Sequence, residues 1–496
     1  MNRTFRLLLL LAFVTAAYAQ VPIPRLTGPL PVTADSYPFM AANRIQTPID
    51  IAKLGYVEEE FLVSGTANVY NWAADGSVSV KTPNAPYTTR ILVRRPADPT
   101  RFSGNVIVET VNNARNYDWS FIWPLSYDYF VERGDAFVAV THKPEAIAAL
   151  KKFNPKRYEL LSFANPNPAE ACGTPPTASD AEEGLKWDMI SQVGALLKNK
   201  SATGPLPGFN VQYIYATTHT QELLTYINSV RSHANLANGK PVYDGYVIKT
   251  EYNPADRINR CSAAPANGDA RQIVHNSNVP VIRVTAQGDV QATFTVRRPD
   301  SDEPNDRYRL WEVAGAPHMD KLFYQHMPVI DDQVKAGQPP FLANWPLAYP
   351  CTPTIDLTDF PIMRYTVNAA FGSLDQWVRK GIPAPRADRI EVQNGGTPQA
   401  SFVNDQYGNA KGGVRSVYLD VPVATYYPKS PGQAVCANLL HKAPFDWTRL
   451  ETLYGGSKNY ASKVSQSLDR LVKERWLTES DAKRIKTELT GGGPRE

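Results

Sequence analysis

The stretch ATTHTQE, from Ala216 to Glu222, decides how the sequence is interpreted. It follows an apolar run, VQYIYA (Val211–Ala216), and precedes an apolar run with helical spacing, LLTYINSV (Leu223–Val230). This order predicts a strand, a sharp turn and a helix. The turn contains three threonines and one histidine, and it contains neither serine nor glycine.

Short runs rich in valine, isoleucine and phenylalanine lie on both sides of this unit and indicate further buried strands. They are NVIVETVN (Asn105–Asn112), AFVAVTH (Ala136–His142), YDGYVIKT (Tyr243–Thr250), VPVIRVTA (Val279–Ala286) and YRLWEVAG (Tyr308–Gly315). A helical pattern, WDMISQVGALLKN (Trp187–Asn199), precedes the unit. Strands that alternate with helices predict an α/β fold with a mostly parallel sheet covered on both faces.

The two ends of the chain have other patterns. EEFLVSGTANVYNW and TTRILVRRP alternate polar and apolar residues and predict antiparallel strands before the α/β region. YASKVSQSLDRLVKERW and TESDAKRIKTEL predict two helices after it, the second with Thr478 or Ser480 as a cap. We therefore predict an N-terminal extension and β-rich addition over residues 20–103. An α/β domain with a helical C-terminal end should cover residues 104–496.

Residues 1–19 have the pattern of a secretory signal peptide. Arg3 and Arg6 precede the apolar stretch LLLLLAFV (Leu7–Val14), and AYA (Ala17–Ala19) has the small residues of a cleavage site. The apolar stretch is shorter than the roughly 20 residues that a membrane-spanning helix needs. We therefore expect an exported protein, secreted or periplasmic, without a membrane span.

Composition and charge exclude several classes of function. The 496 residues are 43% hydrophobic and 20% charged, which is typical of a globular protein. The net charge of +4 comes without a long basic run, so no feature supports nucleic-acid binding. The chain has no glycine-rich dinucleotide fingerprint and no zinc-type spacing of histidines. We therefore expect neither an organic cofactor nor a catalytic metal.

Four cysteines support the prediction of an oxidising compartment. Their wide spacing and even number permit two disulfides in an exported chain, with three possible pairings. The cysteines are Cys172, Cys261, Cys351 and Cys436.

Polar side chains follow the predicted strands, where ligands bind in sheets of this kind. The threonines follow VQYIYA, Asp289 follows VPVIRVTA, and His318 follows YRLWEVAG. The order hydroxyl, acid, histidine is that of the α/β-hydrolase triad, in which the histidine takes the hydroxyl proton and the carboxylate orients the histidine. The pattern therefore predicts Thr218 as the nucleophile, His318 as the base and Asp289 as its partner. Weaker alternatives to Asp289 are Asp300, Asp302, Asp306 and Glu312.

Backbone N–H groups should hold the oxyanion of such a site. One should come from His219, the residue after the nucleophile, and one from the Val111–Asn113 loop. Asn112, Asn113 and His142 lie just past strand ends and are candidate pocket residues.

Nine stretches carry a resemblance to a known family. They are GNVIVETVNNARNYDW, RGDAFVAVTHK, WDMISQVGALL, LLTYINSV, VYDGYVIKT, VPVIRVTAQGDV, RLWEVAGAPHMD, DQYGNAKGGVRSVYLDVPVATY and PFDWTRLETLYGG. In this order, from about Gly104 to the C-terminus, they resemble the secreted bacterial "alpha/beta hydrolase domain" family. The resemblance implies an α/β-hydrolase fold over residues 104–496 and esterase-type acyl transfer, without a defined substrate.

The turn departs from the pattern of that family, which resembles G-x-S-Q-S/T with serine as nucleophile. Thr218 fits the serine position best, because small residues at Ala216 and Thr220 flank it. Matching the glutamine chooses Thr220 instead, and matching LTYIN without a gap chooses Thr217. A threonine at positive φ in such a turn would cost about 1–3 kcal/mol. Either the turn has relaxed or threonine attacks as a slower nucleophile.

Functions of three kinds follow from the sequence. The first is an exported carboxylic-ester hydrolase that acts on a small-molecule ester, with threonine in place of serine. The second is a catalytically silent hydrolase-fold protein that binds a small molecule or a glycan. The third is a hydrolase in which a histidine activates water.

Overall fold

The structure is a computed structural model of the chain. It describes residues 20–172, 180–200, 203–231, 234–250, 256–266, 268–341, 351 and 362–491. The predicted signal peptide, residues 1–19, lies outside the described residues.

A sheet of ten strands organises the described residues. The strands are β1 (Arg25–Thr27), β2 (Tyr56–Trp72), β3 (Val78–Pro96), β4 (Asn105–Thr110), β5 (Ala136–Val140), β6 (Tyr213–Thr218), β7 (Gly245–Thr250), β8 (Val281–Ala286), β9 (Ser301–Glu303) and β10 (Asp306–Val313). Their order across the sheet is β1-β2-β3-β5-β4-β6-β7-β8-β10-β9. The strands from β5 to β10 in that order pair in parallel, and the others are antiparallel. The predicted fold class is confirmed.

The central strands form where the sequence has continuous apolar runs. β4, β5 and β8 are buried at every residue, as strands covered on both faces must be. β2 and β3 make a long hairpin, and β3 continues the sheet by pairing Ile91 with Val140 of β5. The strands within residues 20–103 therefore belong to the same sheet as the α/β region.

Helices cover both faces of the sheet. They are α1 (Ile122–Arg133), α2 (Pro144–Phe153), α3 (Lys186–Lys198), α4 (Glu222–Asn228), α5 (Val290–Thr293), α6 (Lys321–Gln325), α7 (Ile330–Lys335), α8 (Ile362–Lys380), α9 (Val417–Asp420), α10 (Trp447–Tyr454), α11 (Ser457–Lys473) and α12 (Glu479–Thr490). On one face, Ser191 of α3 and Tyr226 of α4 hydrogen-bond through their hydroxyls (2.9 Å). On the other, Tyr215 of β6 donates to Asp375 of α8 (2.9 Å), and α8 packs against α1.

The described C-terminal part adds two further small sheets and four helices, α9 to α12, to this core. The small sheets pair β11 (Val392–Gln393) with β12 (Ser401–Phe402), and β13 (Ala424–Tyr427) with β14 (His441–Pro444). The predicted helical pair is present as α11 and α12. Thr478 caps α12 by accepting a hydrogen bond from the N–H of Asp481 (3.1 Å), as its position predicted. None of the described helices has both the length and the apolar character that crossing a bilayer requires.

The four cysteines form two disulfides. Cys172 bonds to Cys261, and Cys351 bonds to Cys436. The expectation of disulfides is confirmed, and the structure selects one of the three pairings.

Candidate active site

His318 and Asp289 are brought together at the carboxyl edge of the sheet. Asp289 lies in a short helical turn after β8, and His318 lies five residues after β10. His318 Nδ1 is 2.8 Å from Asp289 Oδ1, and both side chains are buried. A carboxylate can only accept, so Nδ1 carries a proton, and in the neutral ring Nε2 then carries the lone pair. This is the arrangement that a general base needs.

The loops that carry the pair fit closely against each other. Gly288 N donates to Ala316 O (3.1 Å). A Cβ at position 288 would lie 3.0 Å from the backbone nitrogen of His318. The glycine therefore allows the acid loop to approach the histidine loop.

The turn between β6 and α4 has an ordinary backbone. β6 ends at Thr218, and α4 begins at Glu222. None of residues 216–221 has a positive φ, and Gln221 has φ −98° and ψ −2°. The strain that a nucleophile turn imposes is absent.

The Thr218 hydroxyl is hydrogen-bonded to the adjacent strand β4 and to Thr220 within the turn. Its Oγ1 lies 3.3 Å from Thr110 O and 2.9 Å from Thr220 Oγ1, and it accepts from Thr220 N at 3.2 Å. Thr218 is fully buried. These contacts hold the side chain as a local hydrogen-bonded turn does, and none of them reaches His318.

Thr217 faces the other side of the sheet from Thr218, because side chains alternate along a strand. It is paired in register with Glu109, whose carboxylate binds the start of α1. The Thr217 hydroxyl is buried and has no hydrogen-bond partner. The structure thus places Thr217 on the α1 face, and the hydroxyls of Thr218 and Thr220 bond to each other.

His219 is the first residue beyond the strand, and its ring lies beside His318. The ring centroids of the two histidines are 5.7 Å apart. The His219 ring is fully buried, stacked on Phe121 at 4.1 Å and 5.2 Å from Phe323. Burial, with the charges of Lys249 and His318, lowers the pKa of His219 well below its ordinary value. The ring is therefore neutral.

The loop after β4 is firmly bonded. Val111 N donates to Val140 O (3.3 Å), and Asn112 N donates to Trp119 O (3.1 Å). Two of the three N–H groups that this loop offers for the predicted oxyanion donor, those of Val111 and Asn112, are thus already bonded. Asn113 is half-buried, and its side-chain amide lies 3.4 Å from Glu145.

An ion network that the sequence analysis missed lies under the turn. Glu222, the first residue of α4, lies 2.7 Å from Lys143 Nζ and 3.3 Å from His142 Nε2. Lys143 also pairs with Asp256 (3.1 Å), which binds Lys186 at 2.5 Å. Burial alone would raise the pKa of Glu222, but Lys143 and His142 lower it well below its ordinary value. An acid at the start of a helix that follows a strand was the available signal.

The second disulfide is joined to the histidine loop. Met319, the residue after His318, donates its backbone N–H to Asn438 O (2.9 Å). Asn438 lies two residues beyond Cys436, which is buried and bonded to Cys351. The disulfide therefore constrains the segment that supports the histidine.

A sequence model of the family described as "Alpha/beta hydrolase domain" matches residues 26–487. The chain belongs to the alpha/beta hydrolase domain family. The match includes β2 and β3 as well as the α/β region, and the family supports a hydrolase. In the alpha/beta hydrolase fold the triad follows the chain order nucleophile, acid, histidine, and Asp289 and His318 come after β8 and β10 in that order.

The solved structures that match this chain include esterases. A fungal esterase from Rhizomucor miehei is 12% identical, with a TM-score of 0.32, over 66% of this chain and 85% of that chain. A glucuronoyl esterase from Solibacter usitatus is 9% identical, with a TM-score of 0.25, over 52% and 77% of the two chains. An arylesterase is 13% identical, with a TM-score of 0.27, over 55% and 82%. A comparison with curated proteins found no match.

Proposed function

We propose that this chain is an exported carboxylic-ester hydrolase that acts on small-molecule esters without an organic cofactor. The observation that carries the proposal is the buried Asp289–His318 hydrogen bond at the carboxyl edge of a hydrolase sheet. A histidine held in this tautomer removes a proton from an attacking oxygen and returns it to the leaving group. The two disulfides support export, because disulfides persist in oxidising compartments.

The Thr218 hydroxyl is the nucleophile that the sequence order proposes, and water is the alternative. For Thr218 to attack, its hydroxyl must leave Thr110 O and turn toward His318. In both cases the attacking oxygen gives its proton to His318 Nε2 and bonds to the ester carbonyl carbon.

Hydrolysis of short-chain p-nitrophenyl esters by the mature protein tests the proposal. His318→Gln and Asp289→Asn should each lower kcat by about 10²–10⁴-fold, because they remove the base or its orientation. Thr218→Val separates the nucleophiles: it should abolish activity if threonine attacks and spare it if water does. His275→Gln is the matched control, because it changes an exposed histidine outside the candidate site, and it should keep parental activity. Parental rates in His318→Gln would refute the proposal.

The second candidate function is a catalytically silent protein that binds a small molecule or glycan in the same place. The relaxed turn and the engaged Thr218 hydroxyl favour it. A parent protein that hydrolyses no ester, and that a fluorophosphonate probe does not label, would select this function.

A further inference from the structure

In the turn between β6 and α4, His219 is the residue whose side chain lies beside His318 of the proposed catalytic pair. β6 runs on through Thr217 and Thr218, so His219 is the first residue past the strand. Its ring is 5.7 Å from that of His318, whereas the Thr218 hydroxyl bonds to Thr110 O and to the Thr220 hydroxyl. A group that contacts Nε2 of His318 therefore lies close to the His219 ring.

The His219 ring is held in place by two anchored aromatic residues. Phe121 stacks on it at 4.1 Å, and the N–H of Phe121 is bound by Glu109 (2.8 Å). Phe323 lies 5.2 Å from it, and the carbonyl of Phe323 accepts from the indole of Trp119 (3.0 Å). The ring is thus fixed before substrate arrives, which is the condition for effective stabilisation of a transition state.

The charges around the ring keep it neutral. Burial and the charge of Lys249 disfavour protonation of His219, and His318 does so when it carries a proton on both nitrogens. Asp289 and Glu222 favour protonation less strongly. A neutral imidazole carries one N–H donor. Such a donor polarises a carbonyl without giving up its proton, as neutral histidines do in other enzymes.

We propose that the imidazole of His219 donates its N–H to the ester carbonyl oxygen as that oxygen becomes an oxyanion. The inference rests on the proposed ester hydrolysis. It assigns to a side chain the task that backbone donors perform in related sites. Here the N–H groups of Val111 and Asn112 are already bonded to Val140 O and Trp119 O.

The step is balanced without a co-reactant. The attacking oxygen, from water or Thr218, loses its proton to His318 Nε2 and bonds to the carbonyl carbon. The carbonyl π pair moves onto the oxygen that His219 binds. When the tetrahedral intermediate collapses, the C–O bond to the alcohol breaks, and the leaving oxygen takes the proton from His318. If Thr218 attacked, water then attacks the acyl-threonine, gives its proton to His318 and releases the acid, and the Thr218 oxygen takes that proton back. His219 keeps its proton throughout.

Two substitutions separate a hydrogen-bond donor from a packing residue. His219→Phe keeps an aromatic ring against Phe121 but has no N–H donor, and His219→Gln has a donor but no ring. We expect kcat for p-nitrophenyl acetate to fall about 10²–10³-fold in His219→Phe, the loss typical of one oxyanion donor, with little change in KM. We expect His219→Gln to keep kcat within about tenfold of the parent, a loss well below that donor range.

Each other outcome contradicts the inference. Retained activity in His219→Phe would leave His219 a packing role only, and equal losses in both variants would exclude rescue by a donor. If His219→Phe does not fold, His219→Met, which matches glutamine in shape and lacks the donor, replaces it. Loss of activity in His318→Gln with full activity in His219→Phe would reject this inference and keep the proposed function. An inactive parent would reject both.

Discussion

Replacing Glu109 by glutamine should flatten the pH dependence of the stability of this protein. Glu109, at the end of β4, is completely buried. Its carboxylate accepts the N–H groups of Phe121 (2.8 Å) and Ile122 (3.0 Å) at the start of α1, and the hydroxyl of Ser120. Burial raises the pKa of Glu109 from 4.5 to about 6, and the hydrogen bonds offset only part of that effect.

The size and sign of the effect follow from this shift. A rise of about 1.5 units corresponds to about 2 kcal/mol, at about 1.36 kcal/mol per unit. The folded chain holds the proton more tightly than the unfolded chain, so this stability is fully present below pH 4.5. It is lost as the pH rises through about 6. The free energy of unfolding of the parent should therefore fall by about 2 kcal/mol relative to Glu109→Gln between pH 4 and pH 7.

Thermal unfolding of both proteins across this pH range provides the assay. An unfolding entropy of about 2.1 cal/mol/K per residue over 496 residues is about 1 kcal/mol/K, so the difference in Tm should change by about 2 °C. Glu145→Gln, which removes an exposed carboxylate from the first turn of α2, is the matched control and should run parallel to the parent. If the curves of the parent and Glu109→Gln are also parallel, the carboxyl group does not titrate in this range and the reasoning is refuted.

Two further predictions concern the surroundings of the turn and of His318. Replacing both cysteines of one disulfide with serine, either Cys351 and Cys436 or Cys172 and Cys261, should lower the free energy of unfolding. The two losses should be about equal, roughly 4.6 kcal/mol by loop entropy, because the closed loops span 85 and 89 residues. Only the first pair should also lower kcat/KM for p-nitrophenyl acetate, and equal losses of activity would contradict the link to the histidine loop. Glu222→Gln should destabilise the fold by up to about 3 kcal/mol at pH 7, since it removes one of the two anions that pair with Lys143. The pKa of Glu222 is lowered, so the difference should shrink as the pH falls below 4.5, and denaturant titrations at pH 7 and pH 4 would measure it.

The sheet could be predicted from the sequence because its strands are marked by composition. Predicted and observed strands agree within about two residues for β4 to β8 and for β10, since continuous runs of apolar residues can satisfy burial on both faces only as parallel strands. The helical pair at the C-terminus was predicted from apolar spacing and a cap. The long helix α8 was not predicted, although its apolar residues recur at helical spacing.

The sequence predicts where the turn lies, but it does not predict the residue at which the strand ends and the turn begins. The predicted strand ends at Ala216, whereas β6 continues through Thr217 and Thr218, which pair with Glu109 and Thr110 of β4. Threonine is β-branched and favours a strand. This shift of two residues moves two candidate nucleophiles into the ladder and leaves His219 as the first residue beyond it. Which hydroxyl faces the histidine depends on that register, and a single sequence does not encode it locally.

Asp289 and His318 were predicted from their positions after two strands, and the structure brings them within hydrogen-bond distance. The aromatic contacts of His219 with Phe121 and Phe323 join residues far apart in the chain, and no local pattern predicts them. The same holds for the partners of Glu222.

The two edges of the sheet affect how this protein behaves at high concentration. A ten-stranded sheet with long free edges would add strands from other molecules and aggregate. Here β1 and β9, at the two edges, are only three residues long, and β9 carries the acids Asp302 and Glu303. Beside β1, Leu30 also donates to the carbonyl of Glu60 in β2 (2.8 Å). The edge strands that neighbouring folded molecules meet are thus short, and one of them is charged, which disfavours cross-molecule strand pairing at these two strands.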